Sequence, residues 1–204
     1  MANINRPSGL NPYRYLSGNA WNGQINVYYI PSTDTNAYAI GDPVKTASGL
    51  ADTNGTPAVV LATAGTSNPI RGVIATAGGT IEAAMYGDPL NLNTIVVPAT
   101  KLYGYYVGVV DDPDVLFWCQ EFSGAGSTNF TAADISKNVN LKAGTNNGYI
   151  SGWVIDDTVA SAVTSTLQLR LMGIMRTPDN AFGNYCKFIV RINNHELKSG
   201  TAGL

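Results

Sequence analysis

One imidazole, two thiols and 14 carboxylates are the means this 204-residue chain has for acid–base and metal chemistry. His195 follows Asn193 and Asn194 at the end of a strand-like run, where a partly exposed, hydrogen-bonded ring is expected. As a general base it would need a positioned nucleophile, and no local motif supplies one. Zinc wants about four Cys or His ligands in paired spacing, a pattern that Cys119, Cys186 and His195 do not form. The runs Asp111-Asp112-Pro113-Asp114 and Asp156-Asp157 carry hard oxygen ligands, yet lack the spacing and closing glutamate of a calcium loop. They read as turns, with calcium left open only through convergence of separate loops. Glu82, Glu121 and Glu196 share no motif that would mark the carboxylate pair of a glycosidase. Ala77-Gly78-Gly79-Thr80 lacks the lysine of a phosphate-cradling loop. We therefore assign no catalytic residue, no metal and no cofactor, and expect a chain that is not an enzyme.

The residues that remain are those of recognition. Arg6, Tyr13, Arg14, Tyr15 and Trp21 fall in residues 1–24, where Pro7, Gly9, Pro12, Gly18 and Gly23 break every regular period. This reads as an N-terminal arm. Each aromatic side chain carries roughly 150–250 Å² of surface that must be covered. It packs either on its own domain or, as aromatic and arginine anchors do, on a neighbouring subunit. A second candidate is the loop over residues 176–184, which carries Arg176, Asp179, Asn180 and Phe182. Its Pro-Asp-Asn is turn chemistry, since proline fixes φ and Asp or Asn bonds nearby backbone.

That loop is flanked by the clearest strands in the chain. Leu167, Leu169, Leu171, Gly173 and Met175 alternate with Gln168, Arg170, Met172 and Ile174, and the first set is assigned to the core. Beyond the loop, Cys186, Phe188, Val190 and Ile192 point inward, with Tyr185, Lys187 and Arg191 outward. Further strand-like runs span residues 24–30, 43–46, 58–64, 71–76, 80–85, 94–97, 102–111, 115–122, 138–141 and 148–155. The run at 115–122 is apolar on both faces and belongs in the middle of a sheet. Thr131 and Asp134 are spaced to cap one short helical turn. Gly41-Asp42-Pro43 recurs as Gly87-Asp88-Pro89, either as a weak repeat that launches strands or as chance reuse of turn residues. With turns this frequent and almost no helix, the expected class is all-β: an antiparallel sandwich, jelly roll or barrel over residues 25–192. Residues 193–204 lose the alternation and read as a C-terminal tail.

Charged residues are only 13% of the chain, against about 25% in ordinary globular domains. A surface rich in Ser, Thr, Asn, Gly and Tyr suits one that lies against other chains, or alternatively an extracytoplasmic β-protein. The net charge of −2, with 12 Lys and Arg spread thinly, offers no basic stripe for nucleic acid. No run reaches about 18 apolar residues, so no membrane span is expected; the opening residues lack a leader's apolar region. Cys119 and Cys186, both within strands, are expected as free buried thiols in a reducing cytoplasm.

Residues 167–195, LQLRLMGIMRTPDNAFGNYCKFIVRINNH, resemble the C-terminal part of decoration (cement) proteins of tailed double-stranded DNA phages. Met1 to Leu10 and the Tyr29-Ile30-Pro31 to Ile40-Gly41-Asp42-Pro43-Val44 segment are similar to the start of the same proteins. The resemblance implies a structural virion protein, made in the host bacterial cytoplasm and bound to the outer capsid surface. It would bridge neighbouring major capsid protein subunits, itself a homo-oligomer, dimer or trimer. The alternative from the residues alone is a β-sandwich receptor- or glycan-binding module of a tail or cell surface.

Overall fold

The computed structural model describes residues 3–77 and 96–204. Five strands close a barrel, hydrogen-bonded in the order β2 (Asn26–Ile30), β5 (Pro57–Leu61), β4 (Pro43–Ala51), β6 (Gly72–Ala77) and β8 (Tyr105–Val110). A five-stranded sheet packs on the barrel, in the order β1 (Asn11–Tyr15), β9 (Val115–Gln120), β14 (Lys187–Ile192), β13 (Leu169–Ile174) and β10 (Asn138–Val139). Two short ladders complete the structure: β3 (Tyr38–Ala39) with β7 (Val96–Val97), and β11 (Leu141–Lys142) with β12 (Val154–Ile155). The protein is all-β. Every ladder between these strands is antiparallel except β2 with β5, the parallel pair that closes the barrel through Tyr29 and Ala58. The strand expected at 80–85, residues 94 and 95, Glu82 and the second Gly-Asp-Pro copy lie outside the described residues.

Period-two alternation explains how the barrel and sheet make one body. On β6 and β8, Ile74 and Val109 point into the barrel with Val44, Val59 and Val107. Their sequence neighbours Val73 and Val110 point the other way, into the sheet's core with Phe117, Leu169, Leu171, Phe188 and Val190. Successive side chains on a strand face opposite sides, so a strand covered on both faces is apolar throughout. The turn at 111–114 carries the chain from barrel to sheet, closed by the Val115 N–H to the Asp112 carbonyl at 3.2 Å. The expected helical turn is present: Ala132–Asp134 forms a 3₁₀ turn with a Thr131–Asp134 capping box.

Several expectations are corrected. Within residues 1–24, where no strand was expected, residues 11–15 form β1, which pairs with β9. Pro12 hid it, and so did a bulge between Pro12 and Arg14 that breaks the alternation; proline is tolerated because β1 is the last strand of the sheet. The preceding backbone is fixed as well. Leu10 donates to the Gly41 carbonyl at 3.0 Å, and a Cβ on Gly9, whose φ is +66°, would stand 2.2 Å from that same oxygen. Only glycine serves there.

The C-terminal tail is likewise packed down. The Asn193 side chain donates to the Ser165 and Leu167 carbonyls at 2.8 and 3.1 Å, and Gly203 N donates to the Val163 carbonyl at 3.0 Å. On β13 the inward pattern holds for Leu169 and Leu171 and then fails, because a register shift between Leu171 and Gly173 turns Ile174 toward the core. Gln168, expected outward, is fully buried.

Candidate interaction surface

The single imidazole, both thiols and Glu121 are enclosed. His195 is 3% exposed rather than partly open; its Nδ1 accepts from Leu197 N at 3.0 Å and its Nε2 has no partner among the described residues. Burial pushes its pKa down to about 4, and the nearby Arg71 charge adds to this. Glu121 is 0% exposed and accepts from Phe130 N at 3.1 Å and Cys186 N at 3.3 Å. Burial pushes it up to about 7. A substrate reaches neither. Cys119 and Cys186 are free, buried thiols, each pushed up to about 12 by burial. Among the described residues, no group of three or more His, Cys, Asp or Glu is placed to hold a metal.

The outer face of the five-stranded sheet is different. With Phe117 and Cys119 of β9 and Phe188, Val190 and Ile192 of β14 facing the core, Trp118 and then Lys187, Ile189 and Arg191 stand partly exposed on the other face, where Leu116 and Gln120 are themselves covered. The strand register sets these into rows across the sheet. One row reads Arg14, Leu116, Arg191, Arg170; the next reads Asn11, Trp118, Ile189, Gly173. With Arg176 and Lys187, five of the chain's 12 basic residues, namely Arg14, Arg170, Arg176, Lys187 and Arg191, stand on this one face. Thin spacing in sequence became a cluster because β1, β13 and β14 converge from distant parts of the chain.

Some of these cations are committed. Arg191 bonds the Pro113 carbonyl and pairs with Asp114 at 3.4 Å, and Lys198 pairs with the same carboxylate at 2.8 Å. The hydrogen bond from Lys198, helped by the Lys198 and Arg191 charges, holds the Asp114 carboxyl below the usual range. Arg170 sits directly opposite Arg191 and is held by the Asn138 side chain and the Thr201 and Ala202 carbonyls. Like charges placed opposite one another on a sheet are destabilising. Arg14 lies over the Tyr13 ring at 5.4 Å, and Lys187 over the Trp118 ring at 5.9 Å. Neither Arg14 nor Arg176 has a carboxylate partner among the described residues. Both line one groove of about 450 Å³, together with Tyr13, Met172, Ile174 and Ile189. The bulge in β13 helps open it: a Cβ on Gly173 would meet nothing within 4 Å.

The two segments singled out from the sequence meet at the end of this face. The Asn3 amide donates to the Ala181 and Asn184 carbonyls at 2.7 and 2.8 Å and accepts from Ala181 N at 3.0 Å. Arg6 N donates to the Gln120 side chain at 2.8 Å, which in turn donates to Asn5 at 2.9 Å. The Arg6 side chain is exposed. Tyr13 is 40% exposed and Phe182 42%, the latter with its ring 6.1 Å from that of Phe188. Tyr15 and Trp21 instead pack against their own core, so for them the home domain supplies the cover. Asp179 stays at the loop tip. Asn180 is the loop's base: its amide donates to the Met175 and Lys187 carbonyls at 2.7 and 2.9 Å and accepts from Lys187 N at 2.8 Å.

Asn180→Ala removes three hydrogen bonds, about 1 kcal/mol each. We expect a loss of about 3 kcal/mol in a urea titration, with the loop's backbone amides exchanging faster. Met172, Ile189, Trp118 and Asn3 were not marked as site residues by sequence. The outward position of Met172 was available from the alternation, whereas the place of Asn3 depends on a contact nearly the whole chain length away.

No family model matches the chain, and no curated protein or solved structure matches it.

Proposed function

We propose that this chain is a structural virion protein that binds the outer surface of an assembled phage capsid and stabilises it by bridging neighbouring major capsid protein subunits. Its work is binding, with no catalytic step, and it acts as a homo-oligomer, dimer or trimer, on the virion exterior. The observation that carries this reading is the outer sheet face, where Arg14 and Arg176, without a carboxylate partner among the described residues, stand beside exposed Tyr13 and Met172. Arginine, aromatic and methionine side chains are the ones enriched in protein interfaces, and few other groups supply as much binding energy. The resemblance of residues 167–195 and of the opening segments to phage decoration proteins points the same way, and residues 169–192 supply two strands of this face while Asn3 and Arg6 bond at its end.

A ligand that prefers the mature lattice stabilises it by mass action, and many copies on a symmetric shell multiply modest contacts into avidity. The test is co-sedimentation of the purified protein with mature capsids lacking it and with unexpanded precursor shells of the same phage. Saturable binding to the mature shell is expected. Absence of binding to both, with a soluble sugar retained instead, would favour the receptor- or glycan-binding reading.

A further inference from the structure

We infer that the groove between β1 and β13 is a carboxylate-binding subsite, whose occupant is an extended, acidic segment of the partner protein laid across the outer face of the sheet. The inference deepens the docking reading above and rests on it for the identity of the partner, though not for the chemistry of the groove. Arg14 enters the groove from β1 and Arg176 from the segment that follows β13, and neither has a carboxylate partner among the described residues. Arg170 and Arg191 raise the positive potential of the same face; Asp114 is already shared by Arg191 and Lys198, and Asp179 lies near Lys187.

A guanidinium presents a planar fork that fits a carboxylate with two parallel hydrogen bonds. Beside the two arginines the lining includes Met172, Ile174 and Ile189, together with Tyr13. That mixture matches acidic side chains borne on a peptide whose other groups are apolar. It matches a nucleic-acid backbone poorly, because regularly spaced phosphates want a continuous track of cations. The outer edges of the sheet are already covered, by the bridge from Arg14 to Ala20 beside β1 and that from Asn138 to Ala162 beside β10. The segment therefore lies on the face instead of adding a strand to an edge.

The test uses the full chain and a defined probe, an acetylated, amidated octapeptide of alternating Glu and Leu, with the matching Lys–Leu peptide and a single-stranded DNA octamer as comparisons. Binding is followed by the Met172 methyl and the Arg14 and Arg176 Nε–H resonances. The Glu–Leu peptide is expected to shift these signals saturably. Arg14→Ala and Arg176→Ala are each expected to weaken it at least tenfold, while Lys45→Ala on the barrel leaves it unchanged. Equal weakening by Lys45→Ala, no shift at Met172, or tighter binding of DNA than of the Glu–Leu peptide would each overturn the inference. So would a concentration-dependent self-association abolished by Arg14→Ala, which would give the groove to a second copy. The two readings separate in co-sedimentation: wild-type capsid binding undiminished in the Arg14→Ala/Arg176→Ala double variant overturns the subsite alone. Peptide binding without capsid binding by the wild type leaves the subsite standing and removes the docking reading.

Discussion

Gln168→Ala is expected to be the most destabilising single change away from the apolar core, by about 4 kcal/mol. The side chain is fully buried, and its amide uses all its hydrogen-bonding capacity. Oε1 accepts from Gly65 N at 3.0 Å and Leu141 N at 3.2 Å, and Nε2 donates to the Thr63 and Asn68 carbonyls at 2.9 and 3.0 Å. The residue thus ties the segment following β5 of the barrel to β11 and to the strand entering the sheet. Removing it leaves four backbone groups to find other partners, at about 1 kcal/mol each. Against a total stability of about 5–15 kcal/mol that is a large fraction. Urea denaturation of the variant should show a much lower midpoint. Gln168→Glu, which keeps the shape but turns two donors into acceptors facing carbonyls, should be at least as damaging. A midpoint within experimental error of the wild type for both variants would show that Gln168 does not hold barrel and sheet together.

The second large effect is on pH dependence. His195 is held at about 4 in the folded chain against an ordinary 6.5. Between those values the unfolded chain binds a proton that the folded chain does not, so its contribution is present above pH 6.5 and is lost as pH falls toward 4. Glu121 is held at about 7 against an ordinary 4.5. Between those values the folded chain keeps a proton that the unfolded chain has released, so its contribution is present below pH 4.5 and is lost as pH rises through 7. Each shift corresponds to about 3 kcal/mol.

The two slopes oppose each other over the shared window, and the wild type should show little dependence there from this pair. His195→Asn, whose side-chain oxygen can still accept from Leu197 N, should leave the Glu121 slope alone, so that stability rises as pH falls from 7 to 4.5. Glu121→Gln should do the reverse and lose stability on acidification. Parallel profiles for the two variants would contradict this assignment.

Much of the secondary structure was legible because its causes are local. The Thr131–Asp134 spacing produced the capped turn, and the apolar run at 115–122 holds a strand, Val115–Gln120, with a neighbour on each side. Alternation placed Cys186, Phe188, Val190 and Ile192 inward without error. The failures also have physical causes. A bulge inverts every side chain after it, and neither the one at Leu171–Gly173 nor the one at Pro12–Arg14 leaves a local signature beyond its glycine or proline. Gln168 and His195 are polar residues that the fold buries through partners far away in sequence, so residue type alone points the wrong way.

The candidate surface was half legible. Arg14, Tyr13 and Arg176 were chosen for their chemistry, but their meeting in one groove depends on the strand order β1-β9-β14-β13. That order is set by pairings between distant segments, and a single strand's pattern does not encode it. Tyr15 and Trp21 were chosen on the same chemistry, yet the sheet's own core had room for them.

The most direct test of the outer face as the docking surface is hydroxyl-radical footprinting of the full chain, free and bound to mature capsids. Tyr13, Met172 and Phe182 are exposed in the free protein, as are Leu102 and Tyr103, which lead into barrel strand β8. Protection of Tyr13 and Met172 on binding, with Leu102 and Tyr103 still oxidised at the free rate, is the expected result. Protection of Leu102 and Tyr103 with Tyr13 and Met172 unchanged would place the capsid on the barrel and contradict the assignment of the sheet face.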